Sequence, residues 1–178
     1  MGKHLPLANS FTVYKDEIEL IQAQNRVECD LYSVIACIIR ESNQGGSISL
    51  RDVSVRRTTD FSRPFKGGAG FPDFVIRTRE KNENAAILGA VEIKYIGLDL
   101  DLEDYIGQLN GHIAFYKQVI YTNGIEWRFY NLDEFEKEKC IWKVSLGKFD
   151  KEAIIWNNEE KWRDLLNKLD NITWIKQK

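Results

Sequence analysis

The fold of this chain is decided by residues 71–95, FPDFVIRTREKNENAAILGAVEIKY. Two apolar runs, Phe71 to Arg77 and Ala86 to Tyr95, have the composition of short strands. The residues between them, 78–84, are polar and rich in turn formers. This pattern predicts an antiparallel β-hairpin at the centre of the domain.

The hairpin register determines where three charged side chains lie. A turn centred on Asn82 and Glu83 places Asp73 opposite Glu92, with their Cβ atoms roughly 5 Å apart. Side-chain alternation puts Glu92 and Lys94 on the same face of the second strand. Two facing carboxylates repel each other, and a divalent cation between them is one common solution. The alternative is a plain structural hairpin, with Asp73 in a turn or ion pair and Glu92 paired with Lys94 in solvent.

The order Pro72-Asp73, then Glu92-Ile93-Lys94, resembles the motif of the PD-(D/E)xK nuclease superfamily. The resemblance covers roughly residues 26–130. It implies the restriction-endonuclease-like fold, an α/β domain in which helices flank a mixed β-sheet. A buried helix before the hairpin, and a helix and further strands after it, agree with that order.

The resemblance also implies the chemistry of the site. Asp73, Glu92 and the carbonyl of Ile93 would hold Mg²⁺, for which Mn²⁺ can substitute. Lys94 would position the attacking water and stabilise negative charge on the phosphate. Gln108, in the helix after the hairpin, would complete the catalytic residues, and an ordinary surface glutamine is the alternative.

Two further residues are expected near the site. Some branches of the superfamily place a metal-facing acid on the helix before the hairpin, and Glu28 is the candidate here, with Asp30 as the alternative. Acids in a first helical turn are also favoured by the helix dipole alone, so a purely structural role stays open. His112, one helical turn after Gln108, is expected to face the same cleft and contact nucleic acid, with a structural histidine as the alternative.

Basic residues are concentrated immediately before the hairpin, although the net charge of the whole chain is −2. A concentration of this kind is typical of a surface that binds phosphates. A solvated loop with ordinary surface arginines is the alternative. The predicted nucleic-acid-binding residues are Arg51, Arg56, Arg57, Arg63 and Lys66.

Length and composition predict one domain, residues 1–178, with its core at about 26–130 and a C-terminal extension at 131–178. No apolar run approaches the roughly 20 residues of a membrane span. The cysteines, Cys29, Cys37 and Cys140, lack metal-knuckle spacing, and the first two occupy positions that look buried. Free thiols and a cytoplasmic location are therefore expected.

Hydrophobic periodicity and turn signals predict helices and strands in an order typical of an α/β layered domain with a mixed sheet. The predicted helices are 16–24, 26–41, 102–116 and 159–169. The predicted strands are 47–50, 53–55, the hairpin strands, 118–121, 126–130 and 140–145.

The sequence thus predicts a magnesium-dependent nuclease that hydrolyses phosphodiester bonds, in DNA rather than RNA because most of the superfamily cuts DNA. Restriction, defence, recombination and repair all fit, and a homodimer is possible. The principal alternative is a catalytically silent module that kept the nuclease fold for nucleic-acid binding or regulation. A structural protein with an accidental motif is the third interpretation, and there Asp73 and Glu92 would point apart.

Overall fold

The computed structural model describes residues 6–24, 26–55, 58–132, 138–151 and 153–176. A six-stranded mixed sheet is flanked by helices, and two further short strands form a separate hairpin. The helices are α1 (Phe11–Gln24), α2 (Asp30–Glu41), α3 (Glu103–Tyr116) and α4 (Glu159–Asp170). The strands are β1 (Ile48–Asp52), β2 (Phe74–Thr78), β3 (Ile87–Ile93), β4 (Gln118–Thr122), β5 (Glu126–Leu132), β6 (Glu138–Ser145), β7 (Gly147–Asp150) and β8 (Ala153–Trp156).

The six strands follow chain order from β1 to β6, and all neighbours are antiparallel except β3 and β4. Parallel strands cannot be joined by a tight turn, so the chain leaves the end of β3, crosses as α3 and returns as β4. The carboxyl end of β3, where Glu92 lies, therefore faces the crossover helix. The predicted mixed α/β architecture is confirmed.

The β2–β3 hairpin has the predicted antiparallel register. Phe74 pairs with Val91, and a bulge between Ile76 and Arg77 interrupts the ladder near the turn. Continuing this register by one residue places Asp73, immediately before β2, opposite Glu92. The hairpin prediction is confirmed.

Each face of the sheet has its own hydrophobic core. On one face α1, α2 and α4 pack, and Val91 and Ile93 of β3 point into that core. On the other face α3 packs, and Ala90 points toward it. Strand alternation consequently directs Glu92 and Lys94 to the α3 side. The C-terminal segment belongs to the same structure, since β6 pairs with β5 and α4 buries Trp162 in the first core.

Several elements differ from prediction. Helix α1 begins at Phe11 rather than at residue 16, and the predicted strand 53–55 is not formed. Helix α2 begins at Asp30 rather than at Arg26, because Arg26 has a left-handed backbone with φ 48° that cannot continue a helix. Glu28 therefore lies in the turn before the helix and not in its first turn.

The cysteines are free, as expected, but the prediction of burial for Cys29 and Cys37 is wrong, because both are exposed. Cys37 projects from the solvent face of α2, between the buried Ala36 and Ile38. Within the described ranges, no helix has the length and apolar composition needed to cross a membrane.

Candidate active site

Asp73 is held from two sides at the start of β2. Its Oδ2 accepts a hydrogen bond of 2.6 Å from the backbone N–H of Ile93, at the end of β3. Its Oδ1 accepts a hydrogen bond from the hydroxyl of Tyr32 on α2. Pro72 precedes Asp73 and lacks an N–H, which is tolerated where a strand begins. The carboxylate is thereby fixed between the end of β3 and helix α2, with only 8% of the residue exposed.

The pKa of Asp73 is raised to about 7, first by burial and then by the nearby charge of Glu92. The hydrogen bonds from Tyr32 and from the Ile93 backbone act in the opposite direction and lower it. The carboxyl thus holds its proton up to near-neutral pH when no cation is bound. A divalent cation beside it would favour the charged form instead.

Glu92 and Lys94 form a buried pair under α3. The ammonium of Lys94 donates to Oε1 of Glu92 at 2.6 Å and to Oε1 of Gln108 at 2.8 Å. It also lies 5.2 Å from the ring centroid of Tyr105. Glu92 is 2% exposed and Lys94 6% exposed. The alternative of a solvent-exposed Glu–Lys pair is therefore wrong, because the crossover helix covers both side chains.

The second carboxylate oxygen of Glu92, Oε2, can still accept a hydrogen bond or bind a cation. Nε2 of His112 lies 3.3 Å from Oε2 of Glu92, although the two are not aligned for a hydrogen bond. In the part of the chain that the structure describes, neither this oxygen nor either ring nitrogen of His112 has a hydrogen-bond partner. Buried polar groups without partners are costly, so this point suits a cation or a water. His112 is itself fully buried, which places it behind Glu92 rather than on a surface open to nucleic acid.

Of the two candidate acids near α2, Glu28 is the one that faces the site. Its Oε1 lies 3.5 Å from the hydroxyl of Tyr32. Burial raises the pKa of Glu28, the charge of Lys94 lowers it and the charge of Glu92 raises it again. Asp30 lies instead near Tyr95: burial raises the pKa of Tyr95, the charge of Arg26 lowers it and the charge of Asp30 raises it further.

The two principal acids, Asp73 and Glu92, lie in the same cluster, but three of their four carboxylate oxygens already accept hydrogen bonds. Among the described residues, no group of three or more His, Cys, Asp or Glu side chains is arranged to hold a metal ion. Tyr32 and the Ile93 backbone occupy Asp73, and Lys94 occupies one oxygen of Glu92. The donor set still fits a hard cation, because it consists of carboxylate oxygens with one buried Glu92 oxygen free. Ile93, whose carbonyl is the predicted third ligand, is the last residue of β3, and its backbone N–H donates to Asp73.

The predicted phosphate-binding residues lie on β1 and on the loop before β2. Arg51 is exposed on β1, Arg63 pairs with Asp60 at 3.2 Å, and Lys66 donates to Thr58 at 3.2 Å. The loop is attached to α3, because the hydroxyl of Tyr116 donates to the carbonyl of Phe65. Arg56 and Arg57 lie outside the described residues.

Sequence reasoning missed Tyr32 and Tyr105, which contact Asp73 and Lys94. Tyr32 follows Glu28 by four residues, the spacing of one helical turn, and this was the available signal. Tyr105 precedes Gln108 by three residues on α3 and so shares its face. Both contacts join elements distant in sequence, which periodicity alone does not pair.

Comparisons of the chain with models of known protein families, with curated proteins and with solved structures give no match. The functional interpretation therefore depends on the geometry of the site and on the resemblance of its motif.

Proposed function

We propose that this protein is a metal-dependent nuclease of the PD-(D/E)xK type, with a restriction-endonuclease-like fold, that hydrolyses phosphodiester bonds in DNA. One observation carries the proposal. Asp73, Glu92, Lys94 and the half-buried Gln108 form a single cluster, held by the start of β2, the end of β3 and helix α3, and the first three are buried. An ion pair with a purely structural role would need only Glu92 and Lys94. It does not account for Asp73, which two hydrogen bonds hold beside them.

The residues have distinct roles in this proposal. Asp73, Glu92 and the Ile93 carbonyl hold Mg²⁺ or Mn²⁺, with Glu28 as a further ligand. When bound, the cation lowers the pKa of a coordinated water and neutralises charge on the phosphate. Lys94 directs its ammonium, fixed by the Gln108 amide, at the attacking water and the developing charge. Cation binding requires that the Tyr32 and Lys94 hydrogen bonds loosen, since both now occupy ligand oxygens.

A cleavage assay tests the proposal. Wild-type protein should cut plasmid and linear DNA with Mg²⁺ or Mn²⁺ and be inactive in EDTA. Glu92→Gln keeps the shape of the side chain but removes its charge, and it should abolish cleavage. Glu103→Gln is the matched control, because Glu103 is an exposed acid in the first turn of α3. An inactive wild type, or equal rates for Glu92→Gln and wild type, would contradict the nuclease assignment.

A second candidate function is a silent module that binds nucleic acid or a regulatory partner. This function is favoured because the carboxylates of the site already have hydrogen-bond partners: Lys94 neutralises Glu92 without a metal. The two candidates separate in one experiment. A silent module binds DNA with the same affinity in EDTA and in Mg²⁺ and leaves it intact, whereas the nuclease binds and cuts.

A further inference from the structure

Three arginines surround a cavity at the edge of the sheet. Strand β1 is an edge strand, paired only with β2 among the described strands. A cavity of about 340 Å³ lies beside it. Arg40 from the last turn of α2, Arg51 from β1 and Arg79 from the end of β2 all line this cavity.

The three arginines line this one cavity without carboxylate partners. Nη2 of Arg40 and Nη1 of Arg51 lie 3.5 and 3.4 Å from the same carbonyl oxygen, that of Leu50. Nη1 of Arg79 donates to the carbonyl of Gly45 at 2.6 Å. Among the described residues, no carboxylate forms an ion pair with any of the three. Like charges held together in this way attract an anion strongly.

Two acids next to these arginines in sequence, Glu41 and Glu80, form no ion pair with them, because each contacts another group. Oε2 of Glu41 accepts a hydrogen bond of 2.6 Å from the backbone N–H of Ala8. Glu80 pairs with Lys176 at 3.3 Å. The positive charge of the cavity is therefore available to a ligand. The planar guanidinium group of arginine is well suited to a phosphate, because it can donate two parallel hydrogen bonds to two phosphate oxygens.

A second cavity extends from Arg40 toward the candidate active site. The second cavity measures about 400 Å³, shares Arg40 and extends to Tyr32, the residue that binds Asp73. Tyr32, Ala36 and Arg40 follow one another at four-residue intervals and line the groove from one face of α2. From Tyr32 to Arg40 the helix rises about 12 Å, the axial rise of roughly three to four base pairs of DNA.

We propose that the groove between α2 and β1 binds the phosphodiester backbone of a polynucleotide as it leaves the active site, with Arg40, Arg51 and Arg79 as its phosphate-binding side chains. The inference deepens the proposed function and rests on it for the identity of the ligand. A free phosphate would be satisfied by the arginine cavity alone. The second cavity, which extends from Arg40 to Tyr32, favours an extended chain of phosphates, one end of which lies at Asp73.

One acid lines the connecting part of the groove. Oδ1 of Asp52 accepts hydrogen bonds from the backbone N–H and the hydroxyl of Ser54, at 3.0 and 2.7 Å. Its charge opposes a phosphate passing along the groove. Asp52→Asn should therefore tighten polynucleotide binding, in the direction opposite to loss of an arginine.

Binding measured without cleavage tests the groove. Fluorescence anisotropy of a labelled duplex in EDTA should show weaker binding by Arg40→Gln/Arg79→Gln, by about ten-fold or more. The slope of log affinity against log salt should fall by about one to two units, since each lost phosphate contact removes about 0.9. Lys161→Gln/Arg163→Gln, the same charge change on exposed positions of α4, should bind as wild type. Wild-type affinity and slope in the groove variant would overturn the proposal.

Thiol protection locates the bound chain independently. Cys29 lines the groove near Tyr32, whereas Cys140 is exposed on β6 and lies outside both groove cavities. Saturating duplex should slow alkylation of Cys29 by iodoacetamide and leave Cys140 unchanged. Equal rates at Cys29 with and without duplex would overturn the proposed path.

A competition experiment distinguishes a polynucleotide from a free phosphate. An oligonucleotide should displace the labelled duplex at phosphate concentrations at least a hundred-fold below those of inorganic phosphate or a mononucleotide. Equal potency would overturn the assignment to a polynucleotide. The binding assays run in EDTA, so their outcome is separate from that of the cleavage assay. A wild type that binds through the groove but never cuts refutes only the nuclease activity.

Discussion

At the scale of single residues, the buried carboxyl of Asp73 links stability to pH. Its pKa in the folded chain is about 7, against about 4 in an unfolded chain. Between these values the folded chain holds a proton that the unfolded chain has released, so the free energy of unfolding falls as pH rises from 4 to 7. The contribution is roughly 2–4 kcal/mol, and it is present in full only below pH 4.

Asp73→Asn should remove this pH dependence. In metal-free buffer the variant should lose less stability than wild type between pH 5 and pH 8, measured by urea unfolding at both values. Mg²⁺ at pH 8 should stabilise the wild type and not the variant, because the cation favours the charged carboxylate. Identical pH slopes for the two proteins would show that Asp73 is already ionised in the metal-free fold.

Lys94→Met separates the role of the lysine from that of the metal ligands. Without metal it leaves Glu92 buried and unpaired, which should cost about 3–5 kcal/mol of stability. Mg²⁺ should restore most of this loss, since the cation replaces the missing positive charge. Cleavage should remain lower by about two to three orders of magnitude.

Thermal unfolding with and without Mg²⁺, beside single-turnover cleavage, measures both effects of Lys94→Met. Lys161→Met, at an exposed position of α4, is the matched control and should change neither quantity. Wild-type cleavage by Lys94→Met would remove the lysine from the mechanism and leave it a structural partner of Glu92.

At the scale of elements, alanine substitutions at two glycines of α3 should change the stability of the protein in opposite directions. A Cβ added at Gly107 meets open space, so Gly107→Ala should stabilise the protein by up to about 1 kcal/mol through helix propensity. A Cβ added at Gly111 lies 2.6 Å from Cβ of Ala69, in the loop before β2. Gly111→Ala should therefore destabilise the protein, because the loop must move. Urea midpoints measure both changes, and equal shifts would show that the loop does not pack on α3.

The elements also show what the sequence could and could not predict. Strand alternation and a symmetric polar turn were enough to place Asp73 opposite Glu92, because those signals are local. The start of α2 was missed, since nothing in the sequence marks the left-handed backbone of Arg26. Two contacts could not be predicted: helix α3 covers Glu92, and Tyr32 donates a hydrogen bond to Asp73. Both depend on how elements distant in sequence pack together, which no local pattern encodes.

At the scale of the whole molecule, the C-terminal helix is part of the main core. Trp162 of α4 is 2% exposed and contacts two rings of α1, at centroid distances of 5.5 Å to Phe11 and 4.7 Å to Tyr14. Trp162→Ala should lower the free energy of unfolding by about 3–5 kcal/mol. Ile175→Ala, at a residue that is 56% exposed, should change it by less than about 0.5 kcal/mol. A small effect at Trp162 would show that α4 is dispensable.

The hairpin turn divides the site between two lengths of chain. Asp73 and Tyr32 precede it, whereas Glu92, Lys94 and Gln108 follow it, and residues 81–84 are all exposed. Exposed turns of this kind tolerate a break in the backbone. A protein expressed as two pieces, broken between Lys81 and Asn82, would thus have Asp73 in one piece and Glu92 in the other. If the protein is the nuclease proposed above, neither fragment should cut DNA alone. Cleavage should appear only when β2 and β3 pair again, so the two fragments would report the association of any two proteins to which they are fused.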